Sequence, residues 1–170
     1  MTGVQTCALP IFSETELNIN DLILPLFITE GKKIVENISS LPSIKRYSID
    51  TVVKKIEEVK NLNIPAVALF PYVEKKLKTF DGKEALNKNN LICRTIREVK
   101  KNFPEIGLIC DVALDPYTTH GHDGILKKNY IANDETIELL SQQALIQAEA
   151  GADIIAPSDM MDGRIGVIRD

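Results

Sequence analysis

The 170-residue sequence has no tryptophan, two histidines and three cysteines, and aromatic residues make up only 5% of it. Cys7, Cys93 and Cys110 lie far apart and form no C-x-x-C pair. An odd, sparse set of this kind excludes a disulfide framework and fits a reducing compartment. No apolar run approaches the roughly 18 residues that a membrane-crossing helix needs. The opening "MTGVQTCALPIF" has neither a basic n-region nor a long h-region, so it does not read as a signal peptide. Positive charge is not in excess. The net charge is -4 and the pI about 5.3, which argues against nucleic acid and anionic membrane as partners. The lysines of "VEKKLKTFDGKEALNKNN" are interleaved with acids and read as a solvated, mobile surface loop. No G-x-G-x-x-G follows the first apolar run, so the dinucleotide-binding signature is missing. H-E-x-x-H and G-x-S-x-G are absent too, which removes the common zinc spacing and the serine-nucleophile context. No internal repeat or low-complexity tract is present.

The chain is 44% hydrophobic and 26% charged, the profile of a soluble globular protein. Its length suits one domain or part of a larger one. Four short apolar runs read as strands: "DLILPLFI" (21–28), "PAVALFPY" (65–72), "IGLICDVAL" (106–114) and "ADIIAPS" (152–158). Continuous apolar strands are expected where both faces of a sheet are covered. Helical patterns alternate with them. Val52, Val53, Ile56 and Val59 form one stripe behind Asp50 as N-cap, and Ile92, Ile96 and Val99 a second. Ile137, Leu140, Ala144, Leu145 and Ala148 form a third, capped by Asn133 or Asp134 and stopped by Gly151. A further helix is expected to start near Met161. Alternation of this kind means a parallel sheet with right-handed crossovers. A doubly wound sheet and half of a (β/α)₈ barrel both satisfy it, since a whole barrel takes about 250 residues.

In parallel α/β folds ligands sit at the carboxyl ends of the strands. Two ends here are unusually polar. The third run leads into "DVALDPYTTHGHDG", which holds three aspartates and two histidines in fourteen positions, and the fourth into "PSDMMDGR". Asp111 sits on the third strand. A carboxylate there is partly desolvated and needs a partner or a raised pKa. It reads as a ligand contact or proton acceptor, or else as a partner of Arg164 or a neighbouring helix. Asp115 and Asp123, with His120 and His122, suit Mg²⁺ or Mn²⁺ better than Zn²⁺. The spacing is loose, however, and backbone-bonded histidines and an Asp-Pro turn explain the same residues. Ser158 can bind a substrate carboxylate or cap a helix. Asp159 reads as the helix N-cap or a first-turn carboxylate, and Asp162 with Arg164 as an ion pair.

These segments together resemble the delta-aminolevulinic acid dehydratase family. The long stretches "DVALDPYTTHGHDG" and "NDETIELLSQQALIQAEAGADIIAPSDMMDGRIGVIRD" carry the resemblance, with "DLILPLFI", "LPSIKRYSID" and "AVALFPYV" before them. It runs from about residue 13 to 170. Residues 1–12 are atypical for the family's N-terminal arm. The resemblance implies a (β/α)₈ barrel whose first four β/α units are residues 13–170. The implied activity is a hydro-lyase one: condensation of two 5-aminolevulinate molecules to porphobilinogen with loss of water, in tetrapyrrole and heme biosynthesis. Two Schiff-base lysines are implied on later strands. No lysine here matches them, and a half-barrel is expected not to turn over alone. Asp111 and Ser158 match family residues that line the substrate pocket. Where many members hold three zinc-binding cysteines, this sequence has Ala113, Asp115 and Asp123. That disfavours catalytic Zn²⁺ and resembles an aspartate-rich branch that responds to Mg²⁺, whose ligands lie mainly beyond Asp170. A homo-octamer in the cytoplasm is implied for the full-length protein. A metal-dependent barrel lyase using Asp111, Asp115, Asp123 and His122, and an inactive half-barrel, are the competing readings.

Overall fold

A computed structural model describes residues 15–128 and 130–170. The atypical segment 1–12 lies outside the described residues. All four expected strands form: β1 Ile23–Ile28, β4 Ala66–Pro71, β5 Gly107–Val112 and β8 Ile154–Pro157. They pair in parallel in the order β1-β4-β5-β8. Consecutive strands lie side by side with a helix between, which is the barrel pattern and not the doubly wound one. Four more strands, too short to show a period, were not foreseen. The edge pair β2 Val35–Asn37 and β3 Lys45–Tyr47 is antiparallel, and β3 runs parallel to β1. The last two, β6 Leu126–Lys127 and β7 Tyr130–Ile131, form a separate antiparallel pair.

The helices are α1 Ile49–Asn61, α2 Leu91–Asn102, α3 Asn133–Ala150 and α4 Arg164–Arg169. Alternate strand residues Leu26, Ile28, Val67, Leu69, Leu108 and Cys110 meet Val52, Ile56 and Val59 of α1 and Ile92, Ile96 and Val99 of α2 in one core. The opposite strand face is more open; on it Phe27 stacks on Phe70 with ring centroids 5.6 Å apart. Asp111 falls on this second face by strand alternation. A second core of Val112, Leu114, Tyr117, Ile125, Leu140, Ala144 and Met161 lies beneath the loop after β5.

The helix boundaries correct several expectations. Ser48, not Asp50, is the N-cap of α1. Asp50 lies in the first turn, where its carboxylate accepts the Lys33 N–H at 2.9 Å and the Ser48 hydroxyl at 2.6 Å. Neither Asn133 nor Asp134 caps α3, whose N-cap is Ala132; Asn133 instead brackets the 162 turn, accepting the Asp162 N–H at 2.8 Å. Gly151 ends α3 at φ 112°, a left-handed conformation that glycine takes without strain. The buried stripe of α3 is Thr136, Leu140, Gln143, Ala144, Gln147 and Ala150, which keeps only Leu140 and Ala144 of the expected set. Leu145 is 60% exposed, and Ala148 is exposed as well. The last helix begins at Arg164 behind Gly163, three residues after Met161. The lysine-rich stretch 73–90 is not a freely solvated loop. It contains the short 3-10 helices Lys75–Leu77 and Lys83–Leu86, and it buries Val73, Ala85 and Asn90.

Candidate functional site at two strand ends

Parallel register places Asp111 level with Ala156 of β8, and the Ser158 N–H bonds Val112 O at 3.3 Å just beyond. The Ser158 side chain lies beside the Asp111 carboxylate and favours its charged form. Burial raises the Asp111 pKa above its ordinary 3.8; Ser158 lowers it, and the carboxylates of Asp115 and Asp159 raise it further. The net direction at Asp111 is upward, with burial as the largest cause. Asp111 is not paired with Arg164.

Arg164 pairs instead with Asp159, Nε to Oδ2 at 3.0 Å, and the Asp159 side chain is fully buried. Asp159 does not cap α4. Its Oδ1 accepts the Met161 N–H at 2.7 Å and ties the "SDMM" turn together. The expected Asp162–Arg164 pair does not form; Arg164 Nη1 donates to Met161 O at 2.8 Å.

The loop after β5 is built by backbone bonds. Tyr117 N and Thr118 N both donate to Leu114 O, at 2.9 and 3.0 Å, around the Asp115–Pro116 turn. Thr79 N donates to Tyr117 O at 3.1 Å and Thr119 N to Thr79 O at 3.0 Å, so the loops after β4 and β5 are stitched together. Gly124 is closely packed: a Cβ there would meet Ile131 Cγ2 at 2.7 Å and Met161 Cε at 3.0 Å, so those side chains would have to shift. Asp115 lies open to solvent as a residue. Loop atoms still crowd its carboxyl and raise its pKa, Asp123 adds to this, and Lys78 and His122 oppose it.

Both histidines are loop-building groups. His120 Nδ1 accepts the His122 N–H at 3.1 Å, which leaves the Nε2 proton for Phe80 O at 3.1 Å. His122 Nδ1 lies 2.9 Å from the Gly124 N–H and 2.9 Å from Asp123 Oδ1. Accepting from Gly124 needs a bare Nδ1, and donating to Asp123 a protonated one, so the two contacts compete. Among the described residues no three His, Cys, Asp or Glu side chains are grouped to hold a metal ion.

The structure therefore brings Asp111, Ser158 and Asp115 together, links Asp123 to Asp115 electrostatically, and keeps His120 apart. Sequence reasoning missed the buried Asp159–Arg164 pair and the two buried glutamines of α3. Asp159 and Arg164 are five residues apart across a turn, a spacing with no regular period. Gln143 and Gln147 share the stripe of Leu140 and Ala144, and four-residue spacing is the signal that could have found them.

The family model described as delta-aminolevulinic acid dehydratase matches residues 5–170. A delta-aminolevulinic acid dehydratase of Bradyrhizobium diazoefficiens is 54% identical over 157 residues, covering 92% of this chain and 44% of the relative. One of Chlamydia pneumoniae is 48% identical over 159 residues, covering 94% of this chain and 48% of the relative. The crystal structure of the Toxoplasma gondii enzyme (porphobilinogen synthase), in complex with the reaction product porphobilinogen, superposes with a TM-score of 0.93 at 38% identity. That match covers 96% of this chain and 47% of the other. The chain spans about half the length of the curated relatives it matches.

Proposed function

The chain belongs to the delta-aminolevulinic acid dehydratase family, and from that premise we propose that it supplies the first four β/α units of a porphobilinogen synthase barrel. The reaction is the condensation of two 5-aminolevulinate molecules to porphobilinogen with loss of water, a hydro-lyase step of tetrapyrrole synthesis. The observation that carries this reading is Asp111 at the end of β5, level with Ala156 of β8 and beside Ser158 just beyond that strand.

In this reading Asp111 moves protons. A general acid–base group works best with its pKa near the working pH, and burial moves Asp111 upward from the ordinary aspartate value. Ser158 beside it favours the ionised form of the carboxylate. A carboxylate at this position would stabilise the positive charge that develops when a lysine amine condenses with a ketone. Asp159, paired with Arg164, shapes the turn, and its carboxylate adds to the upward pull on Asp111.

The residues at the three zinc-thiolate positions do not fit a zinc centre. Ala113 has no donor atom, and Asp115 and Asp123 offer hard oxygen instead of soft sulfur. Magnesium, also implied by the resemblance, finds no group of three ligands among the described residues. The homo-octamer and the cytoplasmic location follow from the same reading. Among the described residues no helix is long and apolar enough to cross a membrane.

NMR titration of the isotopically labelled chain with 5-aminolevulinate tests the proposal. Resonances of Asp111, Ser158 and Asp115 are expected to move together, and Asp111→Ala is expected to abolish the response. Shifts confined to other faces, or none at millimolar ligand, would sink it and leave an inactive half-barrel.

A further inference from the structure

The ladder between β4 and β5 stops just short of Asp111. Gly107 N donates to Pro65 O at 2.9 Å, so the odd-numbered residues of β5 bond towards β4. The even-numbered ones bond towards β8: Leu108 O takes the Asp153 N–H at 3.0 Å and Val112 O the Ser158 N–H at 3.3 Å. The paired register with β4 ends at Leu69 and Cys110. By the alternation of a parallel ladder, the next odd carbonyl, Asp111 O, calls on the N–H of residue 71. Residue 71 is proline, which has no N–H.

A side chain takes the vacant carbonyl. Gln147 Nε2 of α3 donates to Asp111 O at 3.0 Å, and Gln143 Nε2 donates to Ala113 O at 3.4 Å. Four residues of helix rise about 6 Å and two residues of strand about 6.6 Å. Two amides one turn apart therefore meet alternate carbonyls in step. Both glutamines are only 1% exposed, and the Oε1 of each is buried without a hydrogen-bond partner. An apolar side chain would fill the same space and leave no bare oxygen. What the amide adds is the donor.

We infer that Gln147, with Gln143 one turn before it, is a positioning residue that replaces the ladder bond Pro71 cannot make and so fixes the strand end that aims Asp111 at Ser158. The inference rests on the reading of Asp111 as the substrate-side carboxylate. Gln147 touches the Asp111 main chain and acts only through it.

The test uses the whole 170-residue chain. Gln147→Met keeps the length of the side chain and removes the donor. Amide hydrogen exchange at residues 111–113 is expected to accelerate about tenfold, the worth of one strong net hydrogen bond, while α1 and α2 keep their protection. The Asp111 midpoint, read from its carboxyl carbon, is expected to fall towards the ordinary aspartate value as water reaches the freed end. The charged and titratable groups acting on or beside Asp111 are Asp115, Asp159, Cys110 and Tyr117, and none changes in the variant.

Pro71→Ala added to Gln147→Met restores the ladder N–H and is expected to recover both signals. Gln143→Met breaks the longer bond and is expected to move them the same way by less; it also serves if Gln147→Met does not fold. Unchanged exchange and titration in the single variants overturn the inference. So does a Pro71→Ala that fails to rescue, or a uniform loss of protection through α1 and α2. None of these readouts needs turnover. A chain that never binds 5-aminolevulinate therefore defeats the proposed function without touching this bond, and a failed rescue does the reverse.

Discussion

The Asp111 carboxyl is pulled in opposite directions: burial and the neighbouring carboxylates of Asp115 and Asp159 oppose its charge, and the Ser158 hydroxyl favours it. The upward pull wins. Because its folded pKa lies above the unfolded one, the native chain holds its proton longer, and stability falls as pH rises from about 3.8 through the raised value. Asp111→Asn removes that penalty. Urea unfolding is expected to show the variant more stable near pH 7, on the order of 1 kcal/mol, with the gain gone near pH 3. A variant equally stable or weaker at both pH values would mean that Asp111 is not desolvated. Asp159 is the opposite case, a fully buried carboxylate with a paired arginine. Arg164→Met strands that charge and is expected to cost about 3 kcal/mol. Asp159→Asn keeps the acceptor for the Met161 N–H and is expected to cost less. The same denaturation series ranks the two, and the reverse order would contradict the pairing.

Among the elements, α2 shows how one side chain ends a loop and starts a helix. Asn90 accepts the Cys93 N–H at 2.9 Å and its amide donates to Ala85 O at 3.3 Å, closing the lysine-rich stretch onto the helix. Asn90→Ala is expected to cost about 1–2 kcal/mol, read as a lower urea midpoint with an unchanged m-value. A change in m would mean that the stretch 73–90 unfolds separately. The four main strands and three long helices were legible because buried runs and stripes repeat with their own periods. The apolar spacing of α3 picks out Leu140 and Ala144 but not the glutamines that share their face. Gln143 and Gln147 lie inward and donate to Ala113 O and Asp111 O, while Leu145 lies outward. Partners of that kind are set by register, which a single sequence does not display. Among the site residues, strand-end logic located Asp111 and Ser158. The partner of Arg164 was misjudged because the turn after β8 folds Asp159, not Asp162, against it.

As a whole molecule, the sheet is open beyond β8, and apolar side chains gather on that side. Ile154 is 51% exposed, Met160 68%, Ile165 51% and Val167 42%, with Leu145 on the outer face of α3. An exposed parallel edge flanked by apolar groups is a template for association. Sedimentation of the chain alone is expected to show concentration-dependent self-association. The match covers 44% of the Bradyrhizobium diazoefficiens relative, so more than half of that relative lies outside it. Co-expression with the part of that relative that follows the matched region is expected to cap the edge. Three results should then appear together: a single sedimenting species, protection of the β8 amides, and formation of porphobilinogen. Asp111→Asn in this assembly is expected to lower turnover by about 10²–10⁴-fold, the range for a proton-transfer group, while the assembly still forms. An assembly in which Asp111→Asn retains full turnover would remove Asp111 from the chemistry even with the barrel correctly closed.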